Sequence, residues 1–219
     1  MTDLSPHHYR SRLASMVESL RAHPAISIQR VYLSPPTEAY ELADARHKLG
    51  GAMPQGMAHM YEELGDFELA WTHRGRPDED GEQLSGSVRI LPVFDLMRDW
   101  ENILWFDFME DDNPARRLRP FDFFRADTCA GLMPGEPGET GRICFHAQGE
   151  DIWPTGLSFE QWFERLLNAR GMLYWLESCT SYGAQSYEAQ RLRRVGPGLF
   201  EDFDASLFVP QTDAPALIV

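Results

Sequence analysis

The stretch from Leu157 to Gly171, LSFEQWFERLLNARG, constrains the fold of this chain more than any other. Phe159, Trp162, Phe163, Leu166 and Leu167 recur at helical spacing, so a helix over Ser158 to Arg170 carries them all on one face. Its start is doubly specified. Ser158 and Gln161 have the S-x-x-Q spacing of a capping box, Leu157 and Trp162 have that of a hydrophobic staple, and Gly171 marks the end. Burying such side chains contributes about 1.5–3 kcal/mol each, so this face has to lie against another apolar layer.

That layer reads as a sheet. From Phe67 the hydrophobic period drops to two, with Phe67, Leu69 and Trp71 alternating with polar neighbours and Val88 and Ile90 repeating the pattern. The pair reads as a hairpin whose connection, Arg74 to Ser87, holds Pro77, Gly81 and Gly86 among acids, as a solvated loop requires. Ile103 to Phe108 is an apolar, aromatic run that suits a buried strand, and Met109 to Arg119 is a polar break. Phe121 to Phe124 and Arg142 to Phe145 are further strands, the second introduced by Gly135, Pro137, Gly138 and Gly141. The fold class is α+β, a largely antiparallel β-sheet flanked by helices, with Trp71, Phe159, Trp162, Phe163 and Leu166 in its core.

Further helices are predicted. Ser5 and Pro6 look like a cap and first turn, after which Tyr9, Leu13, Met16, Val17 and Leu20 form a stripe that ends by Pro24. A second starts near Ser34, Pro35 and Pro36, carries Ala39, Leu42 and Ala43 on one face, and stops at Gly50 and Gly51. The third opens at Pro54, carries Met57, Met60, Tyr61 and Leu64, and closes at Gly65. Such a methionine stripe fits an adaptable binding groove or ordinary core, and core is the reading preferred. Pro92 starts a short helix through Phe94, Leu96 and Met97. Near the end, Glu188 to Arg194 reads as another helix and Val195 to Val219 as an extended tail. The chain is thus read as a single domain with decorations: 1–36 as helix and lead-in, 37–178 as the central unit, 179–219 as helix and tail.

Hydrophobic residues make up 43% of the 219, enough to bury a core without metals or disulfides. Twenty Lys and Arg against 34 Asp and Glu give a formal charge of −14, which argues against a nucleic-acid partner and suits either simple solubility or docking to a basic protein. Cys129, Cys144 and Cys179 lack CxxC spacing and fit a reducing, cytoplasmic setting. Met1 to Arg12 lacks a basic region followed by an apolar run, so no signal peptide is expected, and no stretch approaches membrane-spanning length.

Signatures of chemistry are missing. Gly135, Gly138 and Gly141 lack the spacing and lysine of a phosphate-binding loop, no G-x-S-x-G elbow occurs, and the seven histidines form no zinc pattern. His7 and His8 diverge by about 100° on a helix and do not readily share a metal. His73 and His146 are placed at strand ends, from which they could meet. The strongest concentration of carboxylates is Asp107, Glu110, Asp111 and Asp112, with Glu101 and Asp127 as neighbours. Such groups hold Mg²⁺ or act as acid and base when they converge from several segments, whereas consecutive acids on one turn point outward. The functional reading preferred for this cluster is a docking patch for a basic partner, with Trp100 and Trp105 as aromatic anchors; for any single residue the bland reading comes first, the acids as hydrated surface and the tryptophans as core.

The order of elements resembles the SUKH superfamily (Smi/Knr-like). KLGGAMPQGMAHMYEELG looks like its N-terminal segment, in which a helix leads through glycine and proline to a second helix and then a strand. SGSVRILPVFDLM is similar to its next strand and short helix, and LSFEQWFERLLNARG to its S-F-x-x-[FW]-[LF] helix, with Ser158, Phe159, Trp162, Phe163 and Gly171 in the matching positions. The resemblance runs from Thr37 to Trp175. ADTCAGLMPG stands roughly where many members carry a glycine-serine-glycine-aspartate stretch. The resemblance implies a sheet flanked by helices and, as in bacterial members, an immunity protein that binds and neutralises a cognate toxin; fungal relatives regulate cell-wall synthesis and signalling. It brings no shared catalytic residues. The expectation is therefore a protein that is not an enzyme and uses no cofactor or metal, with a basic toxin domain as partner and Trp105, Asp107, Glu110, Asp111 and Asp112 in the interface. The alternatives are a regulatory scaffold, or a hydrolase using these carboxylates with His73 or His146.

Overall fold

The computed structural model describes residues 8–75, 81, 83–136 and 138–219. Its seven strands are β1 (Ile26–Leu33), β2 (Phe67–His73), β3 (Ser85–Ile90), β4 (Arg119–Arg125), β5 (Thr128–Met133), β6 (Arg142–Ala147) and β7 (Ile152–Pro154). They form one sheet in chain order, and every neighbouring pair is antiparallel. The helices are α1 (Tyr9–Ala22), α2 (Ala39–Lys48), α3 (Gln55–Glu63), α4 (Phe159–Ala169) and α5 (Tyr187–Leu199). The α+β class read from the sequence is the class observed.

The hairpin pairs as its period requires, with Phe67 opposite Ile90, Leu69 opposite Val88 and Trp71 opposite Gly86. Gly86 is forced by close approach: a Cβ there would lie 2.3 Å from the Trp71 indole nitrogen, which instead donates to the Arg170 carbonyl at 2.7 Å. That bond ties the sheet to the end of α4, where Gly171 takes φ 68° and presses on Val88. At the other end of α4 both arms of the capping box are made. Gln161 N–H donates to Ser158 Oγ at 3.2 Å, and Ser158 N–H donates to Gln161 Oε1 at 3.0 Å. Ser158→Ala is expected to cost about 1 kcal/mol in a denaturant melt, with an unchanged slope.

Trp71, Phe159, Trp162, Phe163 and Leu166 are all at or below 1% exposure. They belong to one cluster that also takes Tyr9, Leu13 and Leu20 of α1 and Phe200, Phe203 and Phe208 near the C-terminal end. Phe121 of β4 meets the Trp162 ring at 4.9 Å, edge to face, and Tyr9 meets Phe163 at 4.7 Å. Met57 and Met60 of α3 lie in the same cluster.

Several expectations are corrected. Ile103 to Phe108 is not a strand: Asn102 takes φ 63°, its N–H closes a turn on the Trp105 carbonyl at 2.7 Å, and within the run only Leu104 is buried. Strands β1, β5 and β7 are additions to the sequence reading. All six residues of β5 are buried, so it has no alternation to show, a register shift between Ile28 and Arg30 breaks the period of β1, and β7 is three residues long. In α2 the inward face is Leu42 and Ala45, with Leu49 just beyond, while Ala39 and Ala43 are exposed. The short helix after Pro92 is a 3-10 turn, Val93–Met97, that buries Val93 and Leu96 and leaves Phe94 exposed. Val195 to Val219 is not simply an extended tail. Helix α5 continues through Pro197 to Leu199, Ala205–Leu207 is a 3-10 turn, and Leu217 exchanges backbone hydrogen bonds with Ile152 across the β7 edge. The cap expected at Ser5 and Pro6, His7, Pro77 and Pro137 lie outside the described residues.

Candidate partner-binding surface

The helices cover one face of the sheet; on the other, the segment between the Val93–Met97 turn and β4 folds back over β4 to β7. It is held there by a second, smaller core in which Trp100, Leu104, Ala115 and Leu118 pack with Phe123, Cys129, Cys144 and Ile152. Trp100 is 5% exposed, stacks at a tilt on Phe123 at 5.3 Å, and donates its indole N–H to the Asp95 carbonyl at 3.1 Å. It is core rather than anchor.

Trp105 is half-buried, and the Arg116 guanidinium lies 4.0 Å from its ring centre. Arg116 also braces the chain that follows, donating to the Met109 carbonyl at 2.8 Å and the Glu110 carbonyl at 3.1 Å, with Asp111 at 3.9 Å. Asn113 then caps the turn Pro114–Arg116, accepting from Ala115 N–H at 2.9 Å. One arginine thus stiffens a loop whose tip, Asp107, Phe108, Glu110, Asp111 and Asp112, is exposed. Hydrogen bonding with Asp107 is the main cause that raises the Glu101 carboxyl above the usual range. Asp127 lies apart in the β4–β5 turn and pairs with Arg125 at 3.6 Å.

Phe108 is the feature the sequence does not disclose. It is 83% exposed, stacks face to face on Phe106 at 5.5 Å, and lines a groove of about 480 Å³ with Met109, Glu110, Asp112 and the 71%-exposed Ile218. By composition alone the run suits a buried strand. Only the left-handed Asn102, a residue type tolerant of that conformation, hints that it turns.

The histidine pair does not form, because His73 is on β2 and His146 on β6, four strands apart in the sheet. His146 is 1% exposed, and burial lowers its proton affinity. Burial likewise pushes the Cys144 thiol up to about 12 and Cys179 to about 11, so neither carries thiolate near neutral pH. Among the described residues no group of three or more His, Cys, Asp or Glu is arranged to hold a metal ion, and no helix is long and apolar enough to cross a membrane.

The fold and this surface define an α+β protein with a braced, acidic, aromatic-tipped loop on the back of an antiparallel sheet. A comparison with models of known protein families finds no match for the chain, and a comparison with curated proteins finds none either.

Proposed function

We propose that this chain is a SUKH-type immunity protein of the cytoplasm, which neutralises a cognate bacterial toxin by direct contact with a basic toxin domain. The observation that carries the reading is Phe108, an aromatic side chain held almost fully exposed on a loop ringed by Asp107, Glu110, Asp111 and Asp112. Beyond its stacking on Phe106, so exposed an apolar side chain gains little from burial in the fold; set in a polar rim on a braced loop, it has the anatomy of an interface anchor. The formal charge of −14 supplies attraction to a basic partner at long range. The three sequence stretches that resemble the superfamily fall on α2–α3, on β3 with the following turn, and on α4, in the superfamily's order.

Two variants test this placement of the interface. Phe108→Ala is expected to weaken binding to the toxin by about tenfold or more, chiefly through faster dissociation. Lysine at Glu110, Asp111 and Asp112 together is expected to slow association by about tenfold at low salt and to weaken its salt dependence. Surface plasmon resonance against the purified toxin domain reads both. An on-rate unchanged by the triple substitution would move the interface elsewhere.

A further inference from the structure

The uncovered half of the sheet's back face carries a second site. Glu68 and Ala70 of β2, Ser87 and Arg89 of β3, and Arg30 of β1 stand there, and with Asp95, Arg98, Ile103, Phe123 and Arg125 they line a groove of about 490 Å³. That volume suits a small organic ligand. Ala70 and Phe123 provide an apolar floor, and Arg30, Arg89, Arg98 and Arg125 are among the residues that line its sides.

The charge of this groove opposes that of the chain. Arg30, Arg89, Arg98 and Arg125 face the carboxylates of Glu68 and Asp95, and of Asp127 if the group pairing Arg125 from outside is counted. In a chain of formal charge −14, a concavity with surplus positive charge is a local inversion. Arg125 is engaged outside the groove, donating to the Tyr174 hydroxyl and pairing with Asp127, but Arg30, Arg89 and Arg98 are not consumed by their partners. A single carboxylate, Glu68, serves both Arg30 at 3.3 Å and Arg89 at 3.6 Å, and those two side chains are 70% and 60% exposed. Arg98 is exposed, with its guanidinium 5.3 Å from the Trp100 ring centre. Of the strands below, β2 pairs along both sides, with Ala70 opposite Arg30 of β1 and Ser87 of β3, so the floor at Ala70 offers no free backbone edge to a peptide strand.

We infer that this groove binds a small phosphomonoester, its phosphoryl group held between Arg89 and Arg98 and its organic body over Ala70 and Phe123. A guanidinium pairs with two phosphoryl oxygens at once, and a tetrahedral dianion offers enough oxygens for two guanidiniums from different segments, which a planar carboxylate does less well. The inference is independent of the toxin-binding reading, since the groove and the Phe108 loop share no residue.

Phenyl phosphate, benzoate and phenol are the probes, titrated by isothermal calorimetry into the wild-type chain, the double variant Arg89→Gln/Arg98→Gln, and Arg21→Gln on α1 as a control. Both groove arginines are exposed, so the double variant is expected to melt with the wild type in the absence of ligand. Saturable binding of phenyl phosphate is expected at or below the millimolar range, at least about tenfold tighter than benzoate, with no binding of phenol. The double variant is expected to lose at least about tenfold in affinity and the control none. No saturation up to about 10 mM, equal binding of benzoate, or equal affinity in the double variant would each overturn the inference.

Discussion

Trp162→Asp is expected to leave the chain unfolded at 25 °C. Trp162 is fully buried, with Phe121 at 4.9 Å, Phe159 at 5.3 Å, Trp175 at 6.2 Å and Phe163 at 6.5 Å around its ring, so it joins α4 to the sheet and to the segment after α4. Truncating a buried tryptophan costs about 3–5 kcal/mol through lost burial and the cavity left behind. A carboxylate in that cavity must in addition be desolvated without a partner or take up a proton, so the sum reaches the ~5–15 kcal/mol that holds a typical domain folded. Trp162→Phe is the control. The indole nitrogen of Trp162 has no hydrogen-bond partner among the described residues, so phenylalanine loses packing but no bond and is expected to cost about 1–2 kcal/mol. Circular dichroism melts distinguish the two; a cooperative Trp162→Asp transition near the wild-type temperature would contradict the central place given to α4.

The second large effect is pH-dependent. Asp122 of β4 is fully buried; its Oδ1 accepts from Arg89 N–H at 2.7 Å and its Oδ2 has no partner among the described residues. Burial pushes its carboxyl up to about 7, against an ordinary value of about 3.9 in the unfolded chain. Between those values the folded protein holds a proton that the unfolded chain has released, so stability falls as pH rises through this window and levels off above it. An asparagine side chain in its place has no proton to lose and keeps the acceptor for Arg89. The stability of Asp122→Asn relative to wild type is therefore expected to rise from pH 4 to pH 8 by on the order of 4 kcal/mol. Buried His146 acts oppositely. Its lowered proton affinity means that its contribution is present above its unfolded value of about 6.5 and is lost as pH falls below it. Since His146 is common to both proteins, urea melts of the pair at each pH isolate Asp122. A pH-independent difference would show that the carboxyl titrates normally.

What is legible in the sequence follows from strong periodicity. The face of α4, the stripe of α1 and the β2–β3 register are all visible because one side of each element meets the core and the other meets water. Where both faces are covered the signal vanishes. β5 lies between the two cores and reads as featureless TCAGLM. The run from Ile103 to Phe108 misleads for the opposite reason: its apolar side chains part company, Leu104 inward and Phe108 into water, at turns set by backbone conformation rather than composition. Consequently the acids and Trp105 can be named from the sequence while the exposed Phe108 cannot. The arginine groove is illegible in principle, since Arg30, Arg89, Arg98 and Arg125 become neighbours only when β1, β3, β4 and the turn before Trp100 are assembled.

The measurement that bears most directly on the proposed function is affinity capture from the native cell with the wild-type chain and the Phe108→Ala variant in parallel. Each captured protein would then be expressed in a sensitive host with either chain. The account predicts a basic protein that is enriched by the wild type, depleted by Phe108→Ala, and toxic unless the wild-type chain is co-expressed. Failure of the wild-type chain to suppress the toxicity of any captured protein, or equal capture and equal rescue by the variant, would contradict it.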